Sequence, residues 1–160
     1  MFAALMFASK ILMEALPNIH LLGMFTMTLT VVFRARALIP IYLYVFLNGL
    51  YAGFDVWWFP YLYIWTILWG LTMLVPKNIP TKVAAVIYPL LCGLHGFAFG
   101  ALYAPAQSLF FGLDFKQTVA WIIAGIPYDI IHGVSNFAAG LLVLPMSILL
   151  KKLMRQRGYK

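Results

Sequence analysis

Near the far end of the chain, Tyr128, Asp129, His132, Ser135 and Asn136 bring together groups that acid–base chemistry, metal ligation or ligand recognition would use. Spacings of three and four put Asp129, His132 and Asn136 on one face of a helix, with Tyr128 and Ser135 beside it. A carboxylate, an imidazole and an amide in one row have two uses. Bonded to each other and to neighbouring helices, they form a polar seam. Turned toward a cavity, they form one wall of a ligand site, and the residues alone leave both uses open.

Other polar groups are scattered through apolar sequence. Lys10 and Glu14, at i and i+4, can pair along one helix. Pro17-Asn18-Ile19-His20 carries an amide and an imidazole on a turn, and Asn48 interrupts a later apolar run. The stretch Asp55-Val56-Trp57-Trp58-Phe59-Pro60-Tyr61, followed by Tyr63 and Trp65, is the densest aromatic patch. It reads either as an interfacial belt at the headgroup level or as a loop closing over a flat ligand. Gly93, Gly96 and Gly100 read as sites of close helix approach, with His95 among them facing a cavity or the packed interior. His95, His132 and Asp129 are donor types that a metal would accept, but the expected site holds none.

These groups must be positioned by membrane helices. Of the 160 residues, 64% are hydrophobic and 9% charged, too few to coat a water-facing surface. Mean hydropathy is +0.95. The aromatic share of 17% suits rings at the headgroups or around a cavity. Six apolar spans are expected at about 1–16, 19–33, 37–53, 60–75, 82–103 and 126–150 in one domain, 1–160. The first four are short for a bilayer, which a helix crosses with about 20 residues, so tilt or local thinning is expected. Gly125 and Pro127 are expected to separate a lead-in, 119–124, from the last span, and 104–118 to form the longest connection.

Charge placement orients the spans. Arg34 and Arg36, then Lys77 and Lys82, then Lys151, Lys152, Arg155, Arg157 and Lys160 fall on one side if six spans alternate, which makes that side and both termini cytoplasmic. Glu14, Asp55, Asp114 and Asp129 fall toward the other. The formal charge of +7 is therefore read as membrane orientation, and nucleic acid is not an expected partner. Met1 leads into an apolar run with no basic segment before it, which argues against a cleaved signal peptide. The single cysteine, Cys92, excludes a disulfide within the chain and reads as a packing residue. No phosphate-binding loop, His-Glu-x-x-His or Gly-x-Ser-x-Gly motif is present, so no enzyme is expected. The competing readings are a small membrane enzyme using Asp129 and His132, and a self-sufficient channel or facilitator.

The opening Met1-Phe2-Ala3-Ala4-Leu5-Met6-Phe7-Ala8, the turn Pro17-Asn18-Ile19-His20 and the stretch Tyr51-Ala52-Gly53-Phe54-Asp55-Val56-Trp57-Trp58 carry a family resemblance. The chain resembles an S component, the substrate-binding membrane subunit of an energy-coupling factor (ECF) vitamin transporter, along essentially its whole length. The resemblance implies a six-helix bundle in a prokaryotic plasma membrane that binds a vitamin or related micronutrient near the outer face. It implies docking on a membrane coupling (T) subunit, with two cytoplasmic ATPases using ATP and no cofactor in this chain. Docking falls on the small-residue face Ala4 and Ala8, with Ala3. Substrate binding falls on Asn18, His20, Trp57, Trp58, Asp129, His132 and Asn136. The residues themselves add Glu14, Asn48, Asp55, Tyr61, His95 and Tyr128 to the candidates for that site.

Overall fold

In the computed structural model, residues 1–156 are described; Arg157 and Lys160 of the basic tail lie outside them. Among the described residues the regular structure is all helix, without strands. The helices are α1 (Phe2–Leu12), α2 (Leu22–Phe33), α3 (Leu38–Ala52), α4 (Phe59–Leu74), α5 (Thr81–Phe97), α6 (Phe99–Phe111), α7 (Phe115–Gly140) and α8 (Val143–Gln156). Short 3-10 turns at Arg34–Ala37 and Val56–Trp58 lead into α3 and α4. Three helical runs, Leu22–Ala52, Thr81–Phe111 and Phe115–Gly140, are long and apolar enough to cross a membrane. Helix is the natural outcome for such a composition, because it satisfies its own backbone groups without water.

The local starts and stops follow from specific residues. Asp114 opens α7 with a capping box: its carboxylate accepts from the Gln117 amide at 2.8 Å, and the Gln117 side chain accepts from the Asp114 amide at 2.9 Å. This cap, with the packing of α7 on α5, carries the helix without a break through Pro127, so 119–124 is not a separate lead-in. The break falls instead at Leu141 and Leu142, one turn before Pro145, whose ring would press on the Leu141 carbonyl of a continuous helix. The segment 104–118 is mostly helix rather than connection. α6 continues to Phe111 and stops at Gly112, whose φ of 64° is the left-handed geometry of a helix C-cap. α1 ends earlier than expected, and 13–21 is turn and bend.

Helix α2 is the central element, packed against α1, α4, α5, α7 and α8, and most of its residues are buried. Met27, Leu29, Ile41, Leu68 and Val143 make the core around it. At one end, the Arg34 guanidinium donates to the carbonyls of Met73 (2.6 Å) and Val75 (3.3 Å), and Trp69 Nε1 donates to the Arg34 carbonyl (3.1 Å). Arg34 thus supplies donors that the last turn of α4 lacks. Phe2 meets Phe33 at the same end, with ring centroids 5.4 Å apart. At the other end Ser135 donates to the Asn18 carbonyl (3.0 Å) and Tyr51 to Glu14 (3.3 Å).

Candidate functional site: a three-histidine aromatic cluster

The three histidines of the chain stand far apart in sequence and converge in space. His20 comes from the α1–α2 connection, His95 from α5 and His132 from α7. The His20 ring lies 4.6 Å, centroid to centroid and edge to face, from that of His132, and 5.9 Å from that of Trp65 on α4. Trp65 is also 5.9 Å from His95 and 6.1 Å from Phe99, the first residue of α6. Phe99 closes the ring against His132 at 4.6 Å. Tyr61, one turn before Trp65, borders both Trp65 (6.1 Å) and Phe99 (6.4 Å). His95, His132, Trp65 and Asn136 are at most 3% exposed.

Glycines let these helices come close enough for the rings to meet. A Cβ at Gly96 would lie 2.8 Å from the His132 carbonyl oxygen and 2.9 Å from Asn136 Nδ2. A Cβ at Gly100 would collide with the Asp129 carboxylate. The α5–α6 break at Ala98 frees backbone amides at the start of α6, and Asp129 accepts from the Gly100 amide at 3.0 Å. Asp129 therefore holds the joint that presents Phe99 to His132, rather than bonding to His132 itself.

Buried polar groups without partners cost free energy, and native proteins leave few of them. Of eleven such side-chain atoms among the described residues, six are on cluster residues or on Asn136, one turn beyond His132, and the others are on Thr26, Arg34, Tyr44, Asn48 and Ser147. His20 Nδ1, Trp65 Nε1, His95 Nδ1, His132 Nε2 and both amide atoms of Asn136 have no hydrogen-bond partner. His95 Nε2 faces the Ile64 carbonyl at 3.1 Å, and a carbonyl only accepts, so Nε2 carries the proton and Nδ1 of the neutral ring is an acceptor. Trp65 Nε1 is a donor only, and Asn136 offers both functions. The cluster thus holds unused donors and acceptors among rings that cover one another's faces. A planar molecule with polar edge groups could use them once a ring moves aside.

The remaining candidates divide. Trp57 is 5.6 Å from Tyr61, and its carbonyl accepts from Tyr103 at 3.0 Å, so it extends the aromatic series outward from the cluster. Asn18, at φ 60°, shapes the turn that delivers His20 and ties it to Ser135. Asn48 is buried in α3 with Oδ1 unpaired. Four others are engaged elsewhere. Glu14 pairs with Lys10 at 2.7 Å on the surface. Asp55 caps the Val56–Trp58 turn, accepting from Val56 at 2.6 Å. Trp58 donates from Nε1 to the Val45 carbonyl at 2.8 Å and pins that turn to α3. Tyr128 points outward, 61% exposed. Among the described residues, no group of three His, Cys, Asp or Glu side chains is arranged to hold a metal ion.

Trp65 and Phe99 are the members that the sequence reading did not assign to the site. Their signal was present as i, i+4 pairs, Tyr61 with Trp65 and His95 with Phe99, which put each ring on the face of an assigned neighbour. On α1, Ala4 and Ala8 are exposed, whereas Ala3 is buried in the core and is not available to a partner.

Fold and site together define an all-helical chain, compatible with a membrane, that gathers a polar aromatic cluster from five elements. No family model matches the chain, and no curated protein or solved structure matches it.

Proposed function

We propose that this protein is the substrate-binding S component of an ECF-type transporter, capturing a vitamin-like heteroaromatic nutrient from outside the cell. The observation that carries this reading is the cluster of His20, Trp65, His95, Phe99 and His132, with its unpaired buried polar atoms. Four of these rings are carried by helices. His20 stands on a non-helical connection, so moving its imidazole aside makes room for a ligand ring against His132 and Phe99.

In this reading α1, α2, α3, α4, the α5–α6 pair and the α7–α8 pair cross the membrane six times, with both termini in the cytoplasm. The Arg34 bonds to the end of α4, the Phe2–Phe33 contact and the basic residues of α8 support gathering the cytoplasmic ends together. The cluster then loads from the outer side, and the exposed Ala4 and Ala8 offer a smooth face to the coupling subunit. Energy comes from the two ATPase subunits.

The test is co-assembly. Tagged protein expressed with the T subunit and ATPases of its host should purify as a stable four-subunit complex. Native mass spectrometry of the isolated chain should reveal a bound small heteroaromatic. Failure to assemble under conditions where a known S component assembles would overturn the reading.

A further inference from the structure

Helices α1 and α8 both pack on α2, and an apolar groove of about 100 Å³ lies between them. Phe2, Leu5, Phe25, Leu29, Leu149 and Leu153 line it. Leu5, Leu149 and Leu153 are each about half exposed, so the groove opens along the outside of the bundle. Its one hydroxyl, on Thr28, is turned to the Met24 sulfur at 3.6 Å, which leaves the walls without a free polar group. Such a slot takes an acyl chain and offers nothing to a polar ligand.

Cations gather where the groove meets the end of α8. Lys152 follows Leu149 by three residues and precedes Leu153, which puts it on the flank of the groove. Lys151 and Arg155 stand beside it, and all three are exposed. From the other side comes Arg36, exposed and three residues past Phe33, whose ring meets that of Phe2 in the groove wall. Among the described residues Lys10–Glu14 is the one ion pair, so none of these four cations is matched by a carboxylate of this chain.

Resting on the six-crossing arrangement of the S-component reading, which puts this end at the cytoplasmic headgroups, we infer that the groove holds a phospholipid with an anionic headgroup. One acyl chain lies along α2, and the phosphate sits among Lys152, Arg36 and their basic neighbours. The chain accounts for the dry walls. The anionic head accounts for unmatched cations at the level where those walls end, since basic pockets between membrane helices on the cytoplasmic side select such headgroups. The long stems of Lys152 and Arg36 can follow the apolar walls and still present their charges at the interface.

The test is lipid binding by the full chain, freed of lipid in detergent and read by native mass spectrometry. Dioleoyl phosphatidylglycerol should bind about tenfold or more tighter than dioleoyl phosphatidylcholine, which has the same chains and no net charge. Arg36→Gln combined with Lys152→Gln should weaken the phosphatidylglycerol complex by roughly fivefold for each cation and leave phosphatidylcholine unchanged. Leu149→Trp, at a half-exposed wall position, should fill the groove and weaken both lipids alike by about tenfold. Inorganic phosphate in large excess should displace neither. Equal affinity for the two lipids, displacement by phosphate, or binding that survives Leu149→Trp would each overturn the inference. So would a chain that binds neither lipid; if Leu149→Trp then also blocks co-purification with the coupling subunit, the groove belongs to a helix of that subunit. Lipid binding is measured on the isolated chain, so its failure refutes the lipid site alone, and failed co-assembly refutes the transporter reading alone.

Discussion

Asp129 shows how one side chain can look like chemistry and act as architecture. Its place three residues before His132 suits a pair on one helical face, yet its carboxylate accepts from Gly100, 29 residues away in sequence, at the start of α6. An acceptor at a helix start contributes about 1 kcal/mol. Asp129→Ala should therefore lower the thermal stability of the detergent-solubilised protein by about that amount, through loss of the cap. Asp129→Asn retains an oxygen acceptor and should stay close to the parent. Equal destabilisation by both substitutions would mean that the charge, not the hydrogen bond, holds the joint. His132 differs in that its Nε2 has no partner in the fold, so this atom is free for a ligand.

At the scale of elements, α1 separates two roles within one small-residue stretch. Ala3 lies in the core and Ala4 beside it is exposed, because neighbouring positions on a helix point about 100° apart. Ala3→Trp should overpack the core, at the upper end of the ~1–3 kcal/mol that such insertions cost. Ala4→Trp should leave thermal stability and ligand binding near parent levels but block co-purification with the coupling subunit. Normal assembly of that variant would remove docking from this face. The α5–α6 joint is the other element with consequences for the site. Its break at Ala98 turns Phe99 toward His132, and Gly96 and Gly100 on either side admit α7 closely enough for the rings to meet.

For the whole molecule, the asymmetry of charge is the property that the proposed function depends on. Arg34, Arg36 and Lys77 on connections and Lys82 in the first turn of α5 lie where the proposed topology puts the inside, and Lys116 lies in the first turn of α7, at the end placed outside. Lys77→Cys and Lys116→Cys are a matched pair, since both lysines are exposed and the native Cys92 is buried. In intact cells, a membrane-impermeant maleimide should label Lys116→Cys and spare Lys77→Cys until the membrane is opened. The reverse pattern, or labelling of both, would refute the six-crossing arrangement.

What the sequence determined by itself is the class of molecule: apolar helical runs, few charges and most basic residues in brief clusters, all properties of composition and local spacing. It also marked His20, His95, His132 and Asn136, because polar groups in apolar runs stand out one by one. Tertiary structure decided which of these share a site. His20, Trp65 and His132 meet only because glycines let α5 and α7 approach and a turn at Asn18 swings His20 over them. The same packing withdrew Asp55, Trp58 and Glu14 into caps, pins and surface pairs. Helix lengths at Pro127 and beyond Ala104 also escaped local reading, since a proline or a loop signal can be outweighed by a good cap and a packed face. Local sequence sets what a residue can do, while its partners across the fold set what it is left free to do.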